Sequence, residues 1–353
     1  CARSKNIYGP YETCVICARE SFGYSSAWTT GNVSLGTPIP EDGFKFVQNR
    51  PSPTSLGAST IHQGGIVQAE DGSWWGVSMQ DFNAVGRTTS LSPVTWVDGW
   101  PYFGLEKNLG RTPRTWFKPN NSVATPVAPY DRCDDFNEKS LKPVWQWNHN
   151  PVNKMWSLTE KKGVLRLHSM PANQLLWAKN SLTQRAIGPV SFTTVKLDAS
   201  KLKDGDNAGL GVINSPYALL GVVKDNQGLS LRWYDQSHHR EIKQPLQKNR
   251  LWLRLWGDYD KSQTLYSYSY DGKSWTNIGD TIIQSYQMRT FQGVRTALYA
   301  YNTNKKNGGY ADFDDFVVEE PMADRSNNIP LGKTVRFTNL ADGSLMFAMP
   351  HGL

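Results

Sequence analysis

The sequence predicts an all-β protein of two domains, and three observations predict it. Aromatic residues make up 12% of the chain, with 14 Trp and 15 Tyr, and such side chains suit the pleated, half-buried surface of a strand. Helical periodicity is almost nowhere visible; short alternating runs dominate, punctuated by Gly, Pro, Asn and Asp. With 353 residues the chain is long enough for two domains, each with a full core.

In chain order, "GGIVQAEDGSWWGVSM" (64–79) reads as two strands joined by a turn at Glu70-Asp71-Gly72. "SPVTWVDGWPYFG" (92–104) repeats the device with Asp98-Gly99. The stretch 104–130, rich in Pro, Asn and Thr, suits a wrapping linker. From Asp134 a new series begins: "VLRLHS", "SFTTVKLD", "AGLGVI", "YALLGVVKD", "LSLRWYD", "LWLRLWGDYD", "TLYSYSYDGKSW", "GVRTALYAYN" and "ADFDDFVVEE". Short strands at this spacing predict a β-sandwich. Alternation puts Leu251, Leu253 and Leu255 on one face and Trp252, Arg254 and Trp256 on the other. The segments "DDF" (134–136) and "DFDDF" (312–316) are first and last strands that should pair. After Pro321 a single hairpin with a turn at Asp342-Gly343 is expected, marginal by itself in water.

Composition narrows the function classes. Net charge is +7, most of it after residue 130, but the lysines are scattered among acids, which argues for a solvated surface and against nucleic acid. No run approaches the ~18 apolar residues of a membrane span. The chain opens on Cys1 and reads as starting inside a domain, so the absence of a signal peptide carries no information. Cys14 and Cys17 form a C-x-x-C, yet no second pair or nearby His completes a zinc site and no βαβ pattern suggests a redox pair. Unpaired thiols are the simpler reading. The aromatics fit strand packing and, equally, the flat faces on which sugars stack.

Three segments of the N-terminal part, "ARSKNIYGPYE" (2–12), "HQGGIVQAEDGSWWG" (62–76) and "VGRTTSLSPVTWVDGWPYFG" (85–104), resemble the later blades of glycoside hydrolase family 43. Its members are five-bladed β-propellers active as β-xylosidases and α-L-arabinofuranosidases. "DDFN", "WQWNHNP", "WSLTEKKGVLRL", "YSYDGKSW" and "YADFDDF" are similar to the concanavalin-like β-sandwich appended to many of them. The resemblance implies an incomplete five-bladed propeller of about two blades over 1–125, a concanavalin-like sandwich over 132–320, and over 321–353 either a terminal strap or the start of a third module. It implies xylan, arabinoxylan or derived oligosaccharides as partners, and a secreted or periplasmic setting.

That chemistry needs two carboxyl groups flanking the scissile bond. The family places its base Asp, a pKa-tuning Asp and its acid Glu before a segment like "ARSKNIYGPYE", so the catalytic set is expected to be absent from this chain. Glu70, Asp71 and Asp98 sit in turns, and Asp81 alone is placed like a pocket residue. By the same resemblance Arg87 matches an arginine that contacts the sugar and the catalytic carboxylates, a task suited to a permanently charged planar fork. Phe82 borders the pocket, and His62 or Gln63 reaches the propeller axis, where a histidine of the family helps hold a metal ion or water. Alternation allows only one of the two to face it. No cofactor is required for the chemistry. A structural calcium is expected at Asp135 and Asp314, although N-caps and turn bonds explain such aspartates equally well. His238 and His239 are expected to face solvent. The competing reading is a non-catalytic protein whose sandwich grips polysaccharide on an aromatic face, with a structural lectin-like protein as a weaker third.

Overall fold

A strand with one apolar face needs a second layer to cover it, and the C-terminal half of the chain supplies two sheets for that purpose. The computed structural model describes residues 1–17, 28–29, 35–38, 45–46, 61–110, 130–284 and 292–321. The hairpin expected after Pro321 and most of the expected linker lie outside these residues. Every regular element described is a strand or a single 3-10 turn, and none is an α-helix.

The N-terminal part centres on an antiparallel meander of β1 (Ile61–Gln68), β2 (Trp74–Phe82), β3 (Gly86–Val97) and β4 (Trp100–Leu105), with Asn108–Leu109 as its last short strand. Residues 104–109 therefore belong to the sheet, and the linker begins later than the sequence suggests. Asp98 and Gly99 both take left-handed backbone, φ 50° and 74°, as a two-residue hairpin of the mirror-image type requires. Arg3 ties the N-terminal strand pair Ala2–Arg3 and Glu12–Thr13 to this turn. Its guanidinium bonds Glu12, donates to the carbonyls of Asp98 and Gly99 at 3.0 and 3.1 Å, and lies 4.0 Å over the Trp100 ring. Trp74 and Trp96 meet edge to face across β2 and β3, with ring centroids 5.1 Å apart.

The sandwich is built from β5 (Leu165–His168), β6 (Ser181–Arg185), β7 (Val190–Asp198), β8 (Asp206–Ile213), β9 (Ala218–Asp225), β10 (Gly228–Asp235), β11 (Arg240–Pro245), β12 (Arg250–Asp258), β13 (Gln263–Ser269), β14 (Thr276–Ile283), β15 (Arg295–Asn302) and β16 (Tyr310–Glu319). One sheet runs β6-β15-β8-β9-β10-β11 and the other β5-β16-β7-β12-β13-β14, each extended at its first edge by a two-residue strand. Their inner faces are aliphatic. Leu210, Leu220, Leu231 and Leu298 from one sheet share a solvent-free core with Leu251, Leu253, Leu255 and Phe313 from the other. The alternation expected of β12 holds, with Trp252, Arg254 and Trp256 half-exposed on the outer face. There Arg254 stacks 3.7 Å over Trp275 and the Lys196 ammonium lies 5.4 Å over Trp252, so the outer face is roofed by its own side chains.

The first and last segments pair as expected. Asp134 and Phe316 form an antiparallel bridge with both amide-to-carbonyl bonds made, at 2.8 and 2.9 Å. The buried Asp134 carboxylate accepts the Trp145 indole N–H at 2.7 Å and the Phe136 amide at 2.9 Å. A buried carboxylate without such donors would be costly, so this pair fixes the entry of the chain into the sandwich.

Residues 132–320 expressed alone are expected to melt in one cooperative transition, because both inner faces and both closing segments are present. Residues 1–125 alone are not, since a partial propeller leaves apolar flanks and strand edges open. Thermal unfolding with size-exclusion chromatography checks both pieces; a sharp melting transition from monomeric 1–125 would overturn the second expectation.

Candidate functional site

The residues singled out in the sequence cluster at one end of the meander because of the β2–β3 register. Asp81 pairs with Arg87 and Phe82 with Gly86 across the hairpin, while His62 on β1 pairs with Met79, two positions before Asp81. The backbone thus brings positions 62, 81, 82 and 87 to a common edge. The side chains of His62, Gln63, Asp81 and Phe82 lie outside what the structure describes. Arg87 is half-buried and engaged by other groups of the chain.

Gln63 is the extra residue of a bulge, since His62 pairs with Met79 but Gly64 with Ser78. Strict alternation does not carry across a bulge, so the rule that only one of His62 and Gln63 can face a given side does not apply here. The two glycines that follow differ in what they do. A Cβ on Gly64 would lie 1.9 Å from the Val77 carbonyl oxygen, so only glycine fits, whereas Gly65 has nothing within 4 Å.

The hairpin tip, a 3-10 turn over Asn83–Val85, is locked into the sandwich. Ala84 is fully buried and belongs to the sandwich core, and its carbonyl accepts the Val294 amide at 2.8 Å. Gly86, at φ +83°, leaves room for Gly293; a Cβ there would lie 2.3 Å from the Gly293 nitrogen, and a Cβ on Gly293 would lie 1.9 Å from the Val85 carbonyl oxygen. Sequence reasoning missed these residues. Their only signal was two glycines far apart in the chain, and nothing in a one-dimensional pattern pairs them.

The expected calcium ligands do not assemble a site. Asp135 accepts the Asn137 amide at 3.2 Å and its side-chain N–H at 2.7 Å, which holds its carboxyl below the usual carboxylate range. Burial pushes the Asp314 carboxyl upward, with Asp315 and Asp135 adding to the effect. The Lys196 ammonium sits 3.7 Å from both Asp314 and Asp315, where it supplies positive charge already. Among the described residues no three His, Cys, Asp or Glu side chains converge on a metal position. Calcium takes six to eight oxygens, and these residues do not fit it.

The C-x-x-C thiols are likewise not paired. Cys14 and Cys17 are free and buried just past the strand Glu12–Thr13; burial pushes the Cys17 thiol up to about 12, and the Cys14 sulfur lies 3.5 Å from the Tyr102 hydroxyl. A buried thiol of raised pKa is a poor nucleophile, and among the described residues no third His, Cys, Asp or Glu joins Cys14 and Cys17 in a metal-binding group. His238 is exposed, as expected, with its Nδ1 2.8 Å from the Asp235 carboxylate in a turn.

Comparison with known proteins adds an independent finding. Residues 133–319 match the family model described as the β-xylosidase C-terminal concanavalin A-like domain. The chain is 33% identical over 286 residues to a putative β-xylosidase of Xylanibacter ruminicola, covering 80% of this chain and 46% of that protein. It is 33% identical over 343 residues to a β-xylosidase of Formosa agariphila, covering 84% and 57%. Among solved structures, a bifunctional GH43-CE protein of Bacteroides eggerthii shares 38% identity with a TM-score of 0.65, over 74% of this chain and 34% of that one. The chain spans about half the length of the curated relatives it matches.

The docking of the hairpin tip is open to direct test. Gly86→Ala is expected to cost roughly 2–4 kcal/mol, combining strained left-handed backbone with a steric clash. Hydrogen exchange should show the Val294 amide losing protection while core amides of β8 and β12 keep theirs. Unchanged protection at Val294 would mean that the contact does not hold the hairpin.

Proposed function

Because the chain belongs to glycoside hydrolase family 43, among the β-xylosidases and arabinofuranosidases with a C-terminal concanavalin A-like domain, we propose that it is part of a glycosidase cleaving xylosyl or arabinosyl linkages in hemicellulose. The observation that carries this reading is the 33% identity over 286 residues to a putative β-xylosidase, a span longer than the sandwich itself. Xylan, arabinoxylan and their oligosaccharides are the corresponding substrates.

In this reading the meander end supplies support and not the reacting carboxyl groups. Arg87 contacts the sugar and the catalytic carboxylates, Asp81 stands across from it on β2, Phe82 borders the pocket, and His62 or Gln63 lies toward the propeller axis. Inverting hydrolysis needs an acid of raised pKa to protonate the leaving oxygen and a base to activate water on the opposite face of the ring. Among the described side chains, the carboxylates of the meander do not form such a pair. Asp71 is committed to its turn, accepting the Ser73 amide at 2.9 Å, and Asp98 occupies a left-handed turn position. Asp81 is one carboxylate, and the chemistry needs two.

Residues 1–353 by themselves are therefore expected to show no measurable turnover of aryl xylosides or arabinosides, since each missing proton transfer is worth ~10²–10⁴-fold in rate. Steady-state assays check this, and turnover at a rate ordinary for such enzymes would direct attention back to Asp81. In the complete gene product, Arg87→Ala is expected to lower kcat/KM by more than ~tenfold with the fold retained, from the loss of a charge-assisted hydrogen bond worth ~1.5–3 kcal/mol. A near-normal kcat/KM would reduce Arg87 to a structural residue and sink its proposed role.

A further inference from the structure

The sandwich carries a second feature that the proposed chemistry does not use, on the outer face of the sheet formed by β6-β15-β8-β9-β10-β11. Cross-strand register places Tyr299, Gly209, Gly221, Arg232 and Lys243 in one row across five strands. The two central glycines remove side chains from the middle of the sheet. The Tyr299 hydroxyl fills their place; it would lie 3.0 and 2.5 Å from a Cβ on Gly209 and Gly221. With only 1% of its surface exposed, Tyr299 is packed close against the backbone. Beside this row, lined by Asn207, Tyr217, Arg232, Tyr234, Glu241 and Tyr301, is a cavity of about 410 Å³, within the roughly 300–1,000 Å³ usual for small-molecule sites.

Its walls are chemically mixed. The Arg232 guanidinium is held on three sides, donating to Glu241 at 2.5 Å, to Asn207 at 3.0 Å and to the Tyr301 hydroxyl at 3.4 Å. It lies 5.1 Å over the Tyr234 ring, and Tyr234 packs against Tyr217 with centroids 5.7 Å apart. One terminal nitrogen of Arg232 and one carboxylate oxygen of Glu241 make no hydrogen bond among the described residues. The segment before β6 contributes Asn173 and Gln174 to the rim.

We infer that this cavity binds one neutral sugar unit of a glycan chain. A sugar hydroxyl both donates and accepts, so adjacent hydroxyls match a donor and an acceptor fixed side by side, as Arg232 and Glu241 are. The apolar face of a sugar ring suits the phenol ring of Tyr234, whose half-buried position leaves surface for it. Charge selects against anions. Arg232 is neutralised by Glu241 and Lys243 is paired with Asp225, so no uncompensated cation waits for a phosphate or carboxylate. The site stands on this geometry; only the choice of xylo-oligosaccharide as a first probe rests on the glycosidase reading.

Isothermal titration of the full 353-residue chain with xylohexaose, arabinohexaose, cellohexaose and mannohexaose, and with trigalacturonate as an anionic control, tests it. At least one neutral oligosaccharide is expected to bind one to one with a dissociation constant of roughly 0.01–1 mM. Tyr234→Ala and, independently, the partly exposed Glu241→Ala should each weaken binding at least ~tenfold. Tyr234→Phe should keep most of the affinity. Three results would overturn the proposal: no neutral oligosaccharide binding at ~10 mM, preferential binding of trigalacturonate, or binding lost in Arg87→Ala yet kept in both cavity variants. The last would place the sugar at the meander and would leave the glycosidase reading intact. Binding of cellohexaose or mannohexaose in preference to the pentose chains would uphold the site while counting against the proposed substrate class.

Discussion

The amide of Val294 donates to the carbonyl of Ala84 at 2.8 Å, at a point where Val85 and Gly293 meet backbone to backbone. The positioning of the meander depends on this contact. Two main chains approach so closely only where a Cβ is missing, and Gly86 and Gly293 supply that absence from different parts of the sequence. Ala84 is drawn into the sandwich core as a result, and Arg87 stands three residues beyond it. The sandwich is therefore the surface on which the β2–β3 hairpin is set, and the placing of Asp81 and Arg87 along that hairpin follows from it.

That core follows from alternation applied twice. Each inner face contributes leucines, and the outer faces are left to find other uses. The outer face of β12 and its neighbours is closed by its own side chains, Arg254 over Trp275 and Lys196 over Trp252. The outer face of β8, β9 and β10 is shaped otherwise: Gly209 and Gly221 stand opposite each other and admit the Tyr299 hydroxyl, and the cavity lies beside them, lined by Asn207, Arg232 and Tyr301. The same secondary structure thus yields a sealed surface on one side and a cavity on the other.

Aspartate-rich stretches illustrate how local bonding consumes apparent chemistry. Asp271 accepts the amides of Ser274 and Lys273 and the hydroxyls of Ser269 and Ser274, which holds its carboxyl far below the ordinary carboxylate range. Asp71 and Asp135 do the same in their own turns, and Asp314 and Asp315 face a lysine. A motif such as "DFDDF" reads as a cation site only while its partners are unknown. Once the amides and the ammonium are in view, the charge is already answered.

Alternation and turn chemistry determined the strands from the sequence alone. "LSLRWYD" and "LWLRLWG" announce one buried face each, and Asp98-Gly99 announces its hairpin, because period-two burial and left-handed backbone are local demands. Edge strands were not legible: β11, "REIKQP", is almost wholly exposed and has no apolar face to alternate, and in β14 Gly279 at φ +72° interrupts the period between Ile278 and Ile282. The family was legible from motifs that run along the chain, and the expected site positions 62, 81, 82 and 87 do share one edge. What only the tertiary structure decided is which distant residues meet: Gly86 with Gly293, Tyr299 with Gly209 and Gly221, Lys196 with Asp314. The physical reason is that close approach and charge pairing are properties of two surfaces together, and a sequence states each surface separately.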